Sequence, residues 1–558
     1  MNKSSYSYSF KIIFASILLM SGLLSCKKDK TLDAPVYSDG ILTYTVDESF
    51  NSSNSYKVNG VNPTIILSFS EAIENNEIHK ISFKKVSGNV IGFTSTSNDG
   101  QKTFVISPTI DLDPFSNYQI IIPNGLITAA GGKILNSPTI SISTGLDNKD
   151  KFPQISDNDL LTLIQKQTFK YFWDFGHPNS GLARERNTSG DVVTTGGSGF
   201  GVMSIVVGVN RNFVTRSEAL ARLQKIVDFL KTADTFHGAF PHWLNGNTGK
   251  VQPFSAKDNG ADLVETSLLL QGLLVARQYF DGADATETQL RTDINQIYKN
   301  VDWNWFRKSN ENQLYWHWSP NYEFDINLKI KGWNESLIVY VLAASSPTHT
   351  IPKLVYDNGW ADNGAIKNGN SYYGITLPLG PANGGPLFLD HYSFLGLNPF
   401  GLKDAYADYQ QQVTAHTKIN YNYCVANPKG FAGYSKNCWG LSASDINGGY
   451  TASSPNNDRG YIAPTAAISS IAFAPEESLA AIRFFYYKLG DKMWGEYGFK
   501  DAFSLSDPWF ASSYLAIDQG PQIVMIENYR SGLIWDLFMS CPEVKTGLIK
   551  LGFQSPKI

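Results

Sequence analysis

The chain has 558 residues and a formal net charge of -4; 42% of its residues are hydrophobic and 13% aromatic. That length exceeds what one hydrophobic core supports, so at least two domains are expected, and the apolar and aromatic content rules out a wholly solvated or disordered chain. With no overall basic field to attract phosphate backbones, nucleic acid is not an expected partner.

The first element is an apolar run over 12–24, preceded by Lys3 and Lys11 and ending Leu23-Leu24-Ser25-Cys26. It is short for a membrane span and suits the hydrophobic stretch of a signal peptide over 1–25, a membrane anchor being the alternative. The small residue before Cys26 resembles the bacterial lipobox. That implies cleavage before Cys26, lipid attachment to its thiol, a polar tether over 26–37, and a lipid-anchored place in the cell envelope, at the periplasmic or outer-membrane surface. Cys424, Cys438 and Cys541 then remain, an odd number that allows one bridge between Cys424 and Cys438 but no disulfide framework. Their spacing lacks the paired C-x-x-C pattern of a zinc site.

Over 38–146 the apolar runs are short (65–69, 103–106, 118–122, 140–142) and separated by Asn, Gly, Ser and Pro turns, which reads as an all-β sandwich. The stretch resembles bacterial Ig-like domains. Glu71, Glu74 and Glu77 have the spacing of the exposed side of a helical turn, and the segment is expected to be a spacer or accessory module.

A polar stretch over 147–156 reads as a linker, after which the hydrophobic period becomes helical. Stripes recur near 160–173, 217–232, 261–280, 288–301, 333–344, 403–413, 461–473, 476–489 and 522–539. Ser217 before Glu218 and Pro475 before Glu476 look like helix starts. Long, unequal loops at 181–200, 236–259, 306–330, 357–386 and 437–457 argue against a solenoid, whose repeats have a fixed period. The expectation for 157–558 is a mostly α (α/α)6 toroid with its working face built from loops.

All 12 Trp lie beyond residue 150, and many fall at or near these loops, among them Trp243, Trp318 and Trp333. A pyranose offers C–H groups to an aromatic face and hydroxyls to neighbouring polar groups, so the set points to a glycan groove; the alternative is that large rings fill loop cores.

Two stretches carry chemistry. In Asp258-Asn-Gly-Ala-Asp262-Leu-Val-Glu265, a helix starting near Asn259 would put Asp258 at its cap and Asp262 and Glu265 on one face. In Gly332-Trp333-Asn334-Glu335-Ser336, a Glu beside a Trp at the start of an apolar helix would have its carboxyl pKa raised toward that of a general acid. Either stretch also fits ordinary acidic first turns favoured by the helix dipole. Together they supply the two carboxyl groups that glycoside hydrolysis needs.

From 160 to 538 the chain resembles glycoside hydrolase family 144, the bacterial β-1,2-glucanases of the glycoamylase-like group. The resemblance rests on Thr168-Phe-Lys-Tyr-Phe-Trp-Asp, Gly199-Phe-Gly, Gly238-Ala-Phe-Pro-His242-Trp, the Asp258 and Gly332 stretches, Asp390-His391-Tyr392-Ser393, and the segment from Asp518-Gln-Gly-Pro to Glu527-Asn-Tyr-Arg530. It implies an (α/α)6 fold, no metal or organic cofactor, and an inverting, endo-acting mechanism that yields β-1,2-linked glucooligosaccharides from a β-glucan. It points to Asp262, Glu265 and Glu335 as acids needed for activity, with Asp258 close by and Glu335 as general acid. Asp262, Glu265, Asp258 and Asp518 are the candidates for the base. His242, Trp243, Trp318, Trp333, His391, Tyr392, Asp518, Glu527 and Arg530 are expected to bind substrate.

No H-E-x-x-H pair, G-K-[ST] ending or G-x-S-x-G elbow is found. His391-Tyr392 suits a polysaccharide lyase on a similar toroid, but the acidic stretches would repel a uronate. Two other readings remain: a non-catalytic glycan-binding lipoprotein, and an exo-acting or other-linkage β-glucan hydrolase.

Overall fold

The computed structural model describes residues 40–74 and 76–558. The signal segment 1–25, Cys26 and the tether 26–37 lie outside the described residues. The described chain divides into two compact units, the sandwich forming most of the first and 143–558 most of the second.

The sandwich contains β1 (Leu42–Val46), β2 (Ser55–Lys57), β3 (Ile65–Phe69), β4 (Ser82–Lys85), β5 (Phe93–Asn98), β6 (Thr103–Pro108), β7 (Asn117–Ile121), β8 (Leu126–Ile127), β9 (Lys133–Ile134) and β10 (Thr139–Ser143). Its two four-stranded sheets run β1-β3-β6-β5 and β2-β10-β7-β4. Alternation decides which face is buried: Ile65, Leu67 and Phe69 of β3 and Phe104 and Ile106 of β6 are buried in one sheet, Tyr118, Ile120, Ile140 and Ile142 in the other. Glu77 departs from the expected exposed turn. It is buried, pairs with Lys80, and accepts a hydrogen bond from the Ile127 amide at 3.0 Å.

In the second unit, helices alternate between two rings. The outer helices are α1 (Asp157–Trp173), α3 (Arg216–Leu230), α5 (Ala285–Asn300), α7 (Lys353–Asn358), α9 (Tyr409–Ala426) and α11 (Pro475–Arg483). Between them come the inner helices α2 (Thr195–Asn210), α4 (Leu263–Tyr279), α6 (Leu337–Ser345), α8 (Phe388–His391) and α10 (Pro464–Ser469); after the short α12 (Gly490–Met493), α13 (Ala516–Ser531) is the last of the inner ring. Two further helices, α14 (Leu533–Ser540) and α15 (Pro542–Leu551), end the chain. Outer helices bury one stripe, as Leu290, Ile294 and Ile297 do on α5, whereas α2, α4 and α6 are buried nearly all round. Helix α13 packs on both α1 and α2, which closes the ring. The (α/α)6 expectation holds, and the sandwich precedes it.

Several boundaries differ from expectation. The expected loop 181–200 contains the start of α2, whose four glycines in seven residues disfavour helix on propensity alone. Packing overrides propensity here: a Cβ on Gly199 would sit 2.2 Å from the Leu268 carbonyl oxygen, and one on Gly272 would sit 2.1 Å from that of Gly199, so only glycine lets α2 and α4 approach this closely. Helix α3 is capped by Thr215 in a capping box with Glu218, rather than starting at Ser217. The stripe at 522–539 is two helices, α13 and α14, broken at Gly532 with φ +72°. The expected linker belongs to the second unit: the Lys151 amide donates to the Tyr487 carbonyl at 2.7 Å and Phe152 packs on Tyr486 with ring centroids 4.6 Å apart. Cys424, Cys438 and Cys541 are buried free thiols, so the Cys424–Cys438 bridge is not formed.

Short ribbons decorate one end of the inner ring. Strand β11 (Val192–Thr194) pairs with β12 (Trp243–Asn245), which pairs with β13 (Val251–Gln252). Strand β14 (Ala261–Asp262) pairs with β15 (His317–Trp318), β16 (Ser371–Tyr372) with β17 (Ile375–Thr376), and β18 (Ala443–Ile446) with β19 (Gly449–Ala452). Because β11 runs into α2 and β14 into α4, this is the end where the inner helices present their N-termini.

Candidate active site

The site is built around the N-terminus of α4. The N-cap of α4 is Asp262, not Asp258: its Oδ1 accepts the Val264 and Glu265 amides, each at 2.9 Å. Its Oδ2 faces His242 Nδ1 at 3.1 Å, the Trp316 indole N–H at 3.3 Å and His317 Nε2 at 3.5 Å. Burial would raise the pKa of this carboxyl, but the two imidazoles overcome that and hold it far below the usual carboxylate range. His242 responds in kind. Burial favours its neutral form, yet Glu265, Asp262 and Asp258 lift it to about 9, so it is an imidazolium at neutral pH.

Glu265, one turn along α4, turns toward the start of α2. The Gly196 amide donates to its Oε2 at 2.7 Å and the Thr194 hydroxyl reaches the same oxygen at 3.5 Å. The free amides of a helix N-terminus suit an anion there. A Cβ on Gly196 would lie 2.7 Å from that oxygen, which explains the glycine. Burial nevertheless raises the Glu265 pKa, with His242 opposing the rise and Asp262 adding to it. Asp258 is buried beside His317, with its Oδ2 3.4 Å from Nε2 and its Oδ1 without a protein partner; burial raises its pKa as well.

Glu335 sits in the turn just before α6. Gly332, with φ +78°, anchors that turn by donating to the Trp360 carbonyl at 3.0 Å, and the Ser393 hydroxyl donates to the backbone carbonyl of Glu335. Burial pushes the Glu335 carboxyl up to about 7, with the charges of Glu265 and Asp262 adding to the rise. Those two acids therefore lie within electrostatic reach of it.

A second acidic group stands nearby. Asp518, in the first turn of α13, is buried with Asp501, and the half-buried Asp445 adjoins them; the Asp445 amide donates to Asp501 Oδ2 at 2.6 Å, and Arg186 Nη1 contacts both Asp445 carboxylate oxygens at 3.2 and 3.3 Å. Burial raises both Asp518 and Asp501; the Asp501 carboxyl adds to the rise at Asp518 and the Asp445 charge to that at Asp501, so this pair retains a proton. Tyr392 links the two sets: burial, then Asp518, Tyr450, Glu335 and Glu265 push its phenol far above the usual range.

Other residues expected from the sequence divide. Trp243 lies beside His242 and Phe254, with ring centroids 5.6 and 4.9 Å away, and forms an aromatic wall next to the acids. Trp318 follows His317 on β15 and stands edge-on to His237 and Trp305. Trp333 is core: it is buried against Phe394 and Trp360. His391 is buried on Ser470 at 3.0 Å, and burial pushes its imidazole down to about 3, which leaves it neutral. Glu527 and Arg530 are not brought to the acids. Glu527 lies nine residues beyond Asp518, about 13 Å along the helix, and is held by Arg211 at 2.7 and 2.9 Å; Arg530 bonds Gln165 at 2.7 Å and Asn158 at 2.8 Å.

The sequence reading missed His317, Gly196, Asp445 and Asp501. The Trp-His-Trp run at 316–318 was a signal for His317, since alternation on a strand puts a polar residue between two aromatic ones. His242, Asp258 and Asp262 bring ligand atoms within 4.8 Å of one another and would suit a divalent cation; in this arrangement the charged His242 places positive charge beside the two carboxyl groups.

The chain has known relatives. Residues 327–542 match the Glycoamylase family model, described as "Putative glucoamylase", and residues 43–144 match the bacterial Ig-like domain. An endo-β-1,2-glucanase from Chitinophaga pinensis, solved with sophorotriose and glucose, is 52% identical over 73% of this chain and 100% of that one, with a TM-score of 0.71. The chain belongs to the glycoamylase-like family. A β-1,2-glucanase structure from Parabacteroides distasonis is 38% identical to this glycoamylase-like protein over 88% of its chain and 71% of that one, with a TM-score of 0.70. An exo β-1,2-glucooligosaccharide sophorohydrolase of P. distasonis is 45% identical over 439 residues, 75% of this chain; the glycoamylase-like chain spans 60% of that relative's length.

Proposed function

We propose that this protein is a glycoside hydrolase that cleaves β-1,2-glucan with inversion. The observation that carries the reading is the pairing of opposite acids. Glu335, raised to about 7, keeps a proton that Asp262, held ionised by two imidazoles, cannot keep. Glu335 donates that proton to the leaving glycosidic oxygen. Asp262 has both oxygens engaged by five donors and is a positioning residue rather than the base. Asp258 Oδ1 is buried, whereas Glu265 has an oxygen, Oε1, that no protein donor claims, so Glu265 is the base that activates water. His242, charged at neutral pH, favours the ionised form of Glu265.

The relatives supply the substrate class, and we assign an endo mode from the C. pinensis enzyme. The exo sophorohydrolase relative supports a second mode. The deciding experiment is the product profile of the purified protein on linear β-1,2-glucan beside β-1,3-, β-1,4- and α-1,4-glucans. Mixed-length β-1,2 oligomers at early times, absent with Glu335→Gln, are expected. Sophorose alone from the first time point would replace endo by exo, and no hydrolysis with binding retained would make the protein a glycan-binding lipoprotein. The lipobox-like sequence at Cys26 supports attachment to the cell envelope, and loss of labelled fatty-acid incorporation in Cys26→Ala tests it.

A further inference from the structure

The β14–β15 ribbon has two faces. Asp262 pairs with His317 and Ala261 with Trp318, so His317 reaches the acids while Trp318, the next residue on β15, points to the other side. On that side lies an open basin of about 1060 Å³, whose lining includes His237, Asp302, Asn304, Trp305, Trp318 and Tyr322. His237 stacks on Trp305 at 3.9 Å with an interplanar angle of 16°, and Trp318 stands edge-on to both rings. This stack fixes the Trp305 indole in place and leaves it 43% exposed; Tyr322, also on the basin, is 45% exposed.

Fixed, solvent-facing rings ringed by carboxylate and amide groups match the two sides of a pyranose, its C–H face and its hydroxyl edge. Acidic groups outnumber basic ones here: Asp302, Glu323 and Asp325 stand against Lys308 of the lining and Lys257, which pairs with Asp325 and lies 6.0 Å from the Tyr322 ring, so an uncharged sugar fits better than a phosphate or a uronate. We propose that this basin is a second glucan-binding site, separate from the acidic cleft, which captures long chains through Trp305 and Tyr322. It shares the β15 strand with the cleft, so a chain held here is delivered close to the acids. This inference rests on the glucan substrate proposed above.

The test compares the full-length protein with Trp305→Ala and, separately, Tyr322→Ala, each checked by thermal melting. On long β-1,2-glucan each variant is expected to raise KM by about 2- to 10-fold, the loss of one aromatic contact, with kcat unchanged. On the shortest oligosaccharide that is cleaved, both constants are expected to match wild type. Retardation of Glu335→Gln in gels containing glucan is expected to weaken when Trp305→Ala is added. Unchanged KM and retardation in both variants would overturn the proposal, and so would an equal loss on short and long substrates, which would place these rings in the cleft. If wild type cleaves none of the glucans, the hydrolase reading fails by itself; Trp305-dependent retardation by any glucan of the panel still supports the basin, and its absence overturns it. If Trp305→Ala does not fold, the Tyr322→Ala result decides.

Discussion

Asp262 and His242 form a charged pair at 3.1 Å in which the aspartate also caps α4, so one side chain sets both where the helix begins and which groups near it are ionised. The two duties are separable. Asn caps a helix about as well as Asp, so Asp262→Asn is expected to keep the fold while removing the negative charge. His242 is then expected to titrate well below its present value of about 9, as followed by NMR of the imidazole resonances. A His242 pKa unchanged in the variant would show that Glu265 and Asp258 alone sustain it.

The same shifts make stability depend on pH. His242 has a folded pKa raised above its ordinary 6.5, to about 9, so its contribution is fully present below 6.5 and is lost as pH rises through 9. Glu335 is also raised, from 4.5 to about 7, so the proton it retains favours the fold below 4.5 and that contribution is gone above 7. Both effects have one sign. Below pH 6.5 the buried His391, held down to about 3, has the opposite sign, so melting temperature is expected to fall from about pH 6.5 to pH 9, with Glu335→Gln flattening the lower part of the fall and His242→Gln the upper. A wild-type melting temperature that rises across this range would contradict the assignment.

How much of this was legible in the sequence follows from which interactions are local. The strand alternation of 65–69 and the stripe of α5 are written in neighbouring residues, and so were read correctly. The acids Asp258, Asp262 and Glu265 were legible as a group because they share one short segment. Helix α2 was not, because its glycines are explained only by groups distant in sequence: Gly199 by the α4 backbone some 70 residues away, Gly196 by the Glu265 carboxylate and Gly201 by the Phe172 ring. Asp445 and Asp501 were invisible for the same reason: each is an unremarked acid on its own short segment until Asp518 and Arg186 are folded beside it. Glu527 and Arg530 looked functional because buried ion pairs and substrate contacts use the same residue types, and only the position of Arg211 separates them.

Assigning the proton donor to Glu335 fixes the shape of the rate profile. The acid must hold its proton, so kcat on β-1,2-glucan is expected to fall as pH rises past about 7. Glu335→Gln is expected to lose about 10²- to 10⁴-fold in kcat, the usual contribution of a general acid. An alkaline limb that keeps its position when Asp262, which raises Glu335, loses its charge in Asp262→Asn would argue against the electrostatic coupling described here.

Two glycines on the same helix are expected to behave differently when changed to alanine. At Gly196 the new methyl meets the Glu265 carboxylate 2.7 Å away, the end of a side chain that is able to move. Gly196→Ala should therefore fold but displace Glu265, lowering kcat by about 10- to 100-fold. At Gly199 the methyl meets the Leu268 carbonyl at 2.2 Å, fixed backbone in the core. Gly199→Ala is expected to cost about 1–3 kcal/mol or more in urea unfolding. If both variants lost stability equally with no separate effect on kcat, Gly196 would be a packing residue only.

The motif places Glu527 among substrate contacts, whereas the structure places it with Arg211. Its carboxylate is fully buried and receives hydrogen bonds from Arg211 at 2.7 and 2.9 Å, Gln165 at 3.0 Å, Asn210 at 3.1 Å and Ser531 at 2.7 Å. These donors hold its pKa below the usual value against the opposing effect of burial. With that many donors committed to it, no capacity is left for a sugar hydroxyl. Removing the charge strands Arg211 partly buried and three neutral donors unsatisfied, so Glu527→Ala is expected to cost about 3 kcal/mol, while KM for β-1,2-glucan, measured on the folded fraction, stays at the wild-type value. A raised KM with unchanged stability would return Glu527 to the substrate site.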